Sequence, residues 1–344
     1  MRIFAKQLLL QTHGELNQWV KVKYNNPWYD VIYAQNKFVA VGVNKIAYST
    51  DGFHWTTVNP PGSNKIIYSI CYSEYFGNFY ASCNSNYILR SSDGITWNNS
   101  DTTQTGYVDC WFGIAACKNN PLVAVCGENG YYSYSVNGTQ WKTPTRNSVA
   151  ENQVTLRCAA AGASFVNMAG NETIVETLQL SSTTAATLKT PTKTDIHSAI
   201  NAMYAPNVID LTGADVPIAV ANNGYIYYSS GYRDVSNSDY TPIFRSSHSF
   251  QVTSSTSDKD LMSILKTGTS SDYTLYIGNM TGKLYIVKGW VSGSTRWSEL
   301  VKTEQIFEID SYDSEDAPEV KTAVGNGVIV CVSGNGYIAS KYVD

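Results

Sequence analysis

Short apolar runs recur along the chain at a nearly constant spacing. Each run is four or five residues long and rich in β-branched or aromatic residues, and a turn rich in Gly and Asn follows several of them, which predicts strands that enter hairpins. The runs begin at Phe38, Phe79, Leu122, Phe165, Ile218, Leu275 and Val328. Small or apolar stretches such as Gly113 to Ala116 precede the runs and predict one further strand per unit. Seven units spaced by about 48 residues on average therefore account for nearly the whole chain.

A polar phrase, Ser-x-Asp-Gly-x-x-Trp, follows the apolar run in the first three units, with Asn in place of Asp in the third. Its residues are Ser49, Asp51, Gly52, Trp55, Ser91, Asp93, Gly94, Trp97, Ser135, Asn137, Gly138 and Trp141. The Ser and Asp oxygens can accept backbone N–H groups in a turn, Gly supplies a positive φ, and Trp can pack beneath the turn. We therefore expect the phrase to be structural, ending a third strand and opening a fourth.

Four antiparallel strands in each of seven units predict an all-β chain folded as a seven-bladed β-propeller of four-stranded blades. The units cover approximately residues 27–58, 66–100, 110–143, 155–190, 200–245, 260–301 and 318–344. No linker divides them, so residues 1–344 are predicted to form a single domain. The last unit lacks a fourth strand, and residues 17–24, which contain Trp19, match it. The N-terminal strand is therefore predicted to close the last blade.

Composition narrows the possible partners. Charged residues make up only 15% of the chain and the net charge is −4, so nothing in the sequence favours binding to nucleic acid. No apolar run is long enough for membrane insertion, and the N-terminus does not look like a signal peptide. The seven cysteines are an odd set without a CxxC pair, which predicts free, mostly buried thiols rather than a zinc site or a disulfide framework.

The turn phrase resembles the Asp-box, or BNR, repeat of sialidase-like β-propellers, a superfamily that includes sialidases, sortilin-like receptors, photosynthesis assembly factors and many phage tail, fibre and bacterial surface proteins. At the level of repeats the resemblance covers roughly residues 19–344. It implies a propeller in which the box lies at the periphery of each blade, away from any catalytic centre. The family pattern has one more residue between Asp and Gly than this chain.

An enzyme is not expected from the residues. A sialidase-like glycosidase would need three converging arginines, a Tyr–Glu nucleophile and an Asp acid/base, but of the seven arginines only Arg157 falls in a predicted innermost strand. The four histidines lack metal-binding spacing. Asp310, Asp313 and Asp316 are a weak Ca²⁺ candidate without the Gly of a calcium loop. The sequence thus predicts no catalytic residue, no metal and no cofactor.

A binding or structural role remains. The long insertion from Ser229 to Ser247 offers a candidate contact loop with Tyr232, Arg233, Asp234 and Tyr240. A chain rich in uncharged polar residues, with unpaired cysteines and no signal peptide, fits a bacteriophage virion protein made in the host cytoplasm. We therefore predict a tail, fibre, baseplate or capsid-attached protein that acts in assembly or host-surface adsorption. Its partners would be other virion proteins, a host-surface glycan or protein, or further copies of itself. The alternatives are a bacterial carbohydrate- or protein-binding propeller and, third, a sialidase-like glycosidase.

Overall fold

The apolar runs form strands, and almost every strand pairs with its neighbour in sequence. A computed structural model describes residues 18–100, 108–146, 154–171, 174–189, 192–196, 198–205, 216–231, 242–292, 295–308 and 319–343. Within them lie 29 strands and one 3-10 turn, Glu128–Gly130. None of the described residues belongs to a helix that is long and apolar enough to cross a membrane.

The strands are, in chain order, β1 (Val20–Lys23), β2 (Trp28–Ala34), β3 (Lys37–Gly42), β4 (Ile46–Ser49), β5 (Thr56–Val58), β6 (Ile67–Ser73), β7 (Asn78–Cys83), β8 (Ile88–Ser91), β9 (Asn98–Asn99), β10 (Trp111–Ala116), β11 (Val123–Gly127), β12 (Tyr131–Ser135), β13 (Thr145–Arg146), β14 (Leu156–Ala161), β15 (Phe165–Gly170), β16 (Ile174–Ser182), β17 (Ala185–Leu188), β18 (Thr192–Lys193), β19 (Ile200–Tyr204), β20 (Ile218–Ala221), β21 (Tyr225–Gly231), β22 (Ile243–Gln251), β23 (Leu261–Gly268), β24 (Asp272–Asn279), β25 (Lys283–Ser292), β26 (Thr295–Gln305), β27 (Val320–Gly325), β28 (Val328–Ser333) and β29 (Tyr337–Tyr342).

The strands form seven antiparallel sheets, which are the blades of the predicted β-propeller. Blades 1 to 6 are β2–β5, β6–β9, β10–β13, β14–β17 (with β18 also paired to β16), β19–β22 and β23–β26. Blade 7 has the order β1-β29-β28-β27, so the first strand of the chain completes the last blade. Val20 pairs with Ser340 and Lys23 with Tyr337. The predicted seven-bladed fold and its closure by the N-terminal strand are both confirmed.

The first strand of each blade is innermost, because these strands contact one another in ring order around a central channel. We call the face where the innermost strands begin the front face and the face where they end the back face. The second strands lie between blades and are buried along almost their whole length, as in β3 and β28. Burial on both sides explains why these strands appear in the sequence as continuous apolar runs instead of alternating ones.

The Ser-x-Asp-Gly turns join neighbouring blades on the back face. In the first, Gly52 N–H donates to Ser49 Oγ at 2.8 Å, and the N–H groups of Phe53 and His54 donate to Asp51 Oδ1 at 2.8 Å each. Partial burial raises the pKa of Asp51, but hydrogen bonds from His54, Phe53 and Ser49 lower the pKa by more than burial raises it. The resulting pKa is about 2, below the usual 3.8. Its carboxylate therefore stays ionised and holds the turn at neutral pH.

The turns of the second and third blades repeat this geometry and also reach the preceding blade. Gly94 N–H donates to Ser91 Oγ at 2.8 Å, and Gly138 N–H donates to Ser135 Oγ at 3.0 Å. The hydroxyl of Tyr80, in blade 2, donates to the carbonyl of Gly138, in blade 3, at 3.0 Å. The polar phrase thus occupies the rim of the back face, where it fixes blade against blade.

A buried acid, Glu176, lies in the apolar interface between blades 3 and 4. It is only 1% exposed, its Oε2 has no hydrogen-bond partner among the residues that the structure describes, and burial raises its pKa to about 7. In an unfolded chain the carboxyl ionises near pH 4.5. Between these two pH values the carboxyl is protonated in the folded protein and ionised in the unfolded chain. The free energy of unfolding therefore falls as the pH rises through this window and is constant above it.

Replacing Glu176 with Gln removes this proton and its pH dependence. The variant minus wild-type difference in unfolding free energy is expected to rise from pH 4.5 to 7 by about 2 to 3 kcal/mol and then to level off. Urea unfolding of both proteins at half-unit pH steps measures the difference. A difference that does not change with pH would show that Glu176 is ionised in the fold.

Candidate functional site

The second residue of each innermost strand lies at the front mouth of the channel. In six blades the pairing with the second strand shifts register at this residue, which leaves it as an unpaired β-bulge. In the seventh blade the pairing is regular. These seven residues, called the mouth ring below, are Tyr29, Tyr68, Phe112, Arg157, Asn201, Met262 and Lys321. A bulge redirects its side chain out of the regular alternation, and bulges of this kind are frequent next to binding and active sites.

The mouth ring surrounds a small cavity of about 170 Å³. Five ring residues, Tyr68, Phe112, Arg157, Asn201 and Lys321, line it together with the residues just below them. The channel widens behind it into a space of about 580 Å³ that opens toward the back face and is lined largely by small and apolar side chains. The polar and aromatic groups are therefore concentrated at the front.

Three consecutive blades contribute aromatic rings, which form one arc of the mouth. The rings of Tyr29 and Tyr68 are stacked with centroids 6.0 Å apart, and Phe112 meets Tyr68 edge-on at 5.0 Å. All three are partly exposed. Burial raises the pKa of Tyr68 far above its ordinary value, as does its 3.6 Å contact with Cys110 Sγ, so its hydroxyl is neutral. The arc thus offers apolar ring surface and two tyrosine hydroxyls, of which that of Tyr68 is neutral.

The opposite arc is polar and carries positive charge. Lys321 Nζ lies 2.9 Å from Glu319 Oε1 and donates to the carbonyl of Met262 at 2.6 Å. Asn201 Nδ2 donates to the carbonyl of Leu261 at 2.8 Å. Arg157 is exposed, and no carboxylate of the described residues pairs with it. Its guanidinium is therefore the one ring cation whose charge the described part of the chain leaves uncompensated.

An acid below the ring, Asp30, already accepts hydrogen bonds from within the protein. Its Oδ2 accepts hydrogen bonds from Ser69 Oγ at 2.8 Å and Ile70 N–H at 3.0 Å, and its Oδ1 accepts one from Val31 N–H at 2.9 Å. Burial raises the pKa of Asp30, and the charge of Lys321 and these hydrogen bonds offset only part of that rise. Burial lowers the pKa of Lys321, but Glu319 and Asp30 raise it above its usual value, so the ammonium stays charged.

The residues singled out in the sequence are spread over the molecule. Arg157 lies in an innermost strand and belongs to the mouth ring, whereas the twelve turn residues lie on the back-face rim. Trp19 precedes β1 and is only partly buried, and its indole N–H donates to Glu304 Oε2 at 2.5 Å. Two groups lie outside the described residues: the contact loop (Tyr232, Arg233, Asp234 and Tyr240) and the Ca²⁺ candidate (Asp310, Asp313 and Asp316).

Neither thiol nor metal chemistry is suggested by the described residues. All seven cysteines are free, and burial raises the pKa of every thiol, to about 12 in Cys83, Cys117 and Cys158. These thiols are therefore protonated and unreactive at neutral pH. No three His, Cys, Asp or Glu side chains in the described part of the chain come together as metal ligands.

Solved structures resemble this one over nearly its whole length. Comparison with protein-family models gives no match, and neither does comparison with curated proteins. A structure of YCF48 bound to D1 peptide has a TM-score of 0.57 at 14% identity, covering 95% of this chain and 96% of its own. The chain shares its β-propeller fold. At an identity this low the similarity shows the fold alone.

Two further similar structures are lyases. A virginiamycin B lyase from Staphylococcus aureus has a TM-score of 0.62 at 11% identity, covering 95% of this chain and 99% of its own. A streptogramin B lyase has a TM-score of 0.65 at 10% identity, covering 94% and 97%. These neighbours correct the prediction that the chain is not an enzyme. The prediction rested on the absence of the residues that a sialidase-like glycosidase needs. The two neighbours are propellers with a different activity, that of a lyase, and the absence of glycosidase residues gives no information about such an activity.

Proposed function

We propose that this protein is a binding propeller whose mouth ring holds a carboxylate-bearing segment of a partner protein. The observation that carries the proposal is Arg157, an exposed guanidinium turned into the channel mouth by a β-bulge and left without a carboxylate partner among the described residues. A guanidinium binds a carboxylate through two parallel hydrogen bonds, a geometry that Lys cannot reproduce.

The aromatic arc favours a peptide over a free ion. A chain end or an acidic side chain that reaches Arg157 would place its neighbouring residue against Tyr68 and Phe112, where apolar area is available for burial. Pockets for whole small molecules are usually about 300 to 1,000 Å³, and the cavity of about 170 Å³ is smaller than that. It has room for one side chain or a chain terminus. The neighbour bound to a peptide, YCF48, supports this class of ligand by analogy of fold.

Peptide selection tests the proposal. The full chain is incubated with two random decapeptide libraries that differ only in a free or an amidated C-terminus, and the bound peptides are sequenced. We expect enrichment of peptides that carry a carboxylate next to an apolar residue. For the enriched peptides, Arg157→Ala should weaken binding by about tenfold or more, the loss of one charge-assisted pair.

Arg245→Ala provides the matched control, because Arg245 is also an exposed arginine but lies on the outer strand β22. It should bind the selected peptides as the wild type does. The proposal fails if neither library is enriched, or if the two arginine variants bind equally. Both substitutions are at exposed side chains, so equal melting temperatures are expected to accompany the difference in binding.

We further propose that the partner belongs to a virion or to the surface of its host, as the sequence composition suggests. Support comes from the low charge content of 15%, which suits contact with neighbouring proteins, and from seven free thiols, which suit folding in a reducing cytoplasm. Genes for tail, portal or capsid proteins beside this one, and its presence in purified particles by mass spectrometry, are the expected findings. A gene cluster for carbohydrate use, with no signal in particles, would contradict the virion role.

A further inference from the structure

The outer hairpin of blade 6 extends beyond the neighbouring blade and exposes a flat face. Its strands, β25 and β26, have 10 and 11 residues, whereas the facing strand of blade 7, β29, has only 6. Where the two blades overlap, Leu284 and Tyr276 pack against blade 7. Beyond this overlap, the described side chains on the same face are exposed, as at Lys288 and Glu299.

Two indoles lie side by side on this overhang. Trp290 and Trp297 occupy directly opposite positions on the two strands, with ring planes 18° apart and centroids 6.3 Å apart. They are 39% and 41% exposed. Of the seven exposed large apolar side chains in the described residues, these and two others, Leu300 and Val301, lie on this hairpin. Exposed indoles are costly to keep in water, which marks the surface as a contact site.

Polar residues surround the indoles on the same face. Asp272 lies on the adjacent strand β24, directly opposite Trp290, and is exposed. One row further along the strands, Lys288 pairs with Glu299, and both are exposed. Because side chains two residues apart share one face of a strand, all five groups form one surface. Its net charge is −1, from two carboxylates and one ammonium.

We propose that this surface, the Trp290–Trp297 platform, binds a neutral oligosaccharide. A sugar ring has an apolar face of C–H groups that packs against an indole and a rim of hydroxyls that donate to carboxylates, so it needs the two features found here. The net negative charge disfavours acidic sugars. The four exposed apolar side chains described on this hairpin, the two indoles with Leu300 and Val301, are too few to form the core of a stable protein interface, which needs roughly 800 Å² from each partner.

A glycan array followed by titration tests the platform. The full chain is applied to immobilised neutral and acidic oligosaccharides of defined sequence, and the best neutral ligand is then titrated in solution. We expect binding to at least one neutral oligosaccharide, accompanied by a change in tryptophan fluorescence. Trp290→Ala and Trp297→Ala should each raise the dissociation constant about tenfold or more, whereas Trp290→Phe, which keeps a ring, should change it by only a few-fold.

Tyr75→Ala is the matched control, because Tyr75 is a 54% exposed aromatic residue in blade 2. It should bind the oligosaccharide like the wild type. Absence of binding to every neutral oligosaccharide overturns the proposal, and so does unchanged affinity in the double Trp variant. A concentration-dependent dimer that dissociates in the Trp variants, with no glycan bound, would instead identify the platform as a protein interface. The Arg157 variant leaves the platform intact, so the mouth and the platform can fail separately.

Discussion

A chain that lacks residues 1–23 is expected to melt roughly 10 °C or more below a chain that lacks only residues 1–17. The shorter deletion keeps β1, and the longer one removes the strand that completes blade 7. Its loss leaves the hydrogen-bonding edge of β29 unpaired, removes Val20 from the core between blades 7 and 1, and removes Trp19, whose indole N–H donates to Glu304. Together these losses are worth several kcal/mol, since each kcal/mol shifts the melting temperature of a chain this large by about 2 to 4 °C.

Circular dichroism and size-exclusion chromatography measure both proteins at equal concentration. The longer deletion should also associate, because an open sheet edge is a template for pairing with another chain. Equal melting temperatures would show that β1 adds nothing to the closed ring.

Gly170→Ala is expected to destabilise the fold by about 3 kcal/mol or more. Gly170 ends β15 and pairs with Leu156, next to the bulge that carries Arg157. A Cβ at this position would lie 1.8 Å from the carbonyl oxygen of Thr155, which is backbone and accepts a hydrogen bond from Asn171 N–H. The backbone has to move, because no side-chain rotation can relieve the clash.

Gly77→Ala controls for the substitution itself. A Cβ there meets nothing within 4 Å, so its cost is limited to the strain of φ +64°, about 1 to 2 kcal/mol. Chemical unfolding of both variants gives the comparison. If Gly170→Ala costs no more than Gly77→Ala, the close approach of β15 to the start of β14 is not a constraint on the bulge.

The fold could be predicted from local signals because each blade repeats them. The second strands are buried on both sides, so runs such as Phe38 to Gly42 are visible without knowledge of any neighbour. The turn phrase is local too, since Ser49, Asp51 and Gly52 satisfy one another within four residues. Closure by the N-terminal strand could be predicted because the last unit has only three strands in the sequence and one unassigned strand precedes the first unit.

The candidate site could not be predicted in the same way. A β-bulge interrupts the alternation of side chains between the two faces of a strand, and the sequence does not show where a bulge occurs. It therefore does not show that Tyr68 and Phe112 are bulge residues whose side chains face the channel mouth. Arg157 stood out only because it is the one arginine of the seven that falls in a predicted innermost strand. The platform depends on register, because the pairing of Trp297 with Trp290 is set by the long hairpin of β25 and β26. The prediction that the chain is not an enzyme was wrong because the absence of glycosidase residues argues only against a glycosidase and not against other enzymes.

Photo-crosslinking tests most directly whether the mouth ring is the binding site. A benzoylphenylalanine in place of Phe112 puts a photoreactive group in the cavity, and the same residue in place of Tyr75 puts it on an exposed surface of blade 2. A selected carboxylate-bearing peptide is irradiated with each protein, and the products are analysed by mass spectrometry. We expect a covalent adduct at position 112 that Arg157→Ala abolishes, and none at position 75. An adduct at position 75 alone, or one at position 112 that persists in Arg157→Ala, would contradict this expectation.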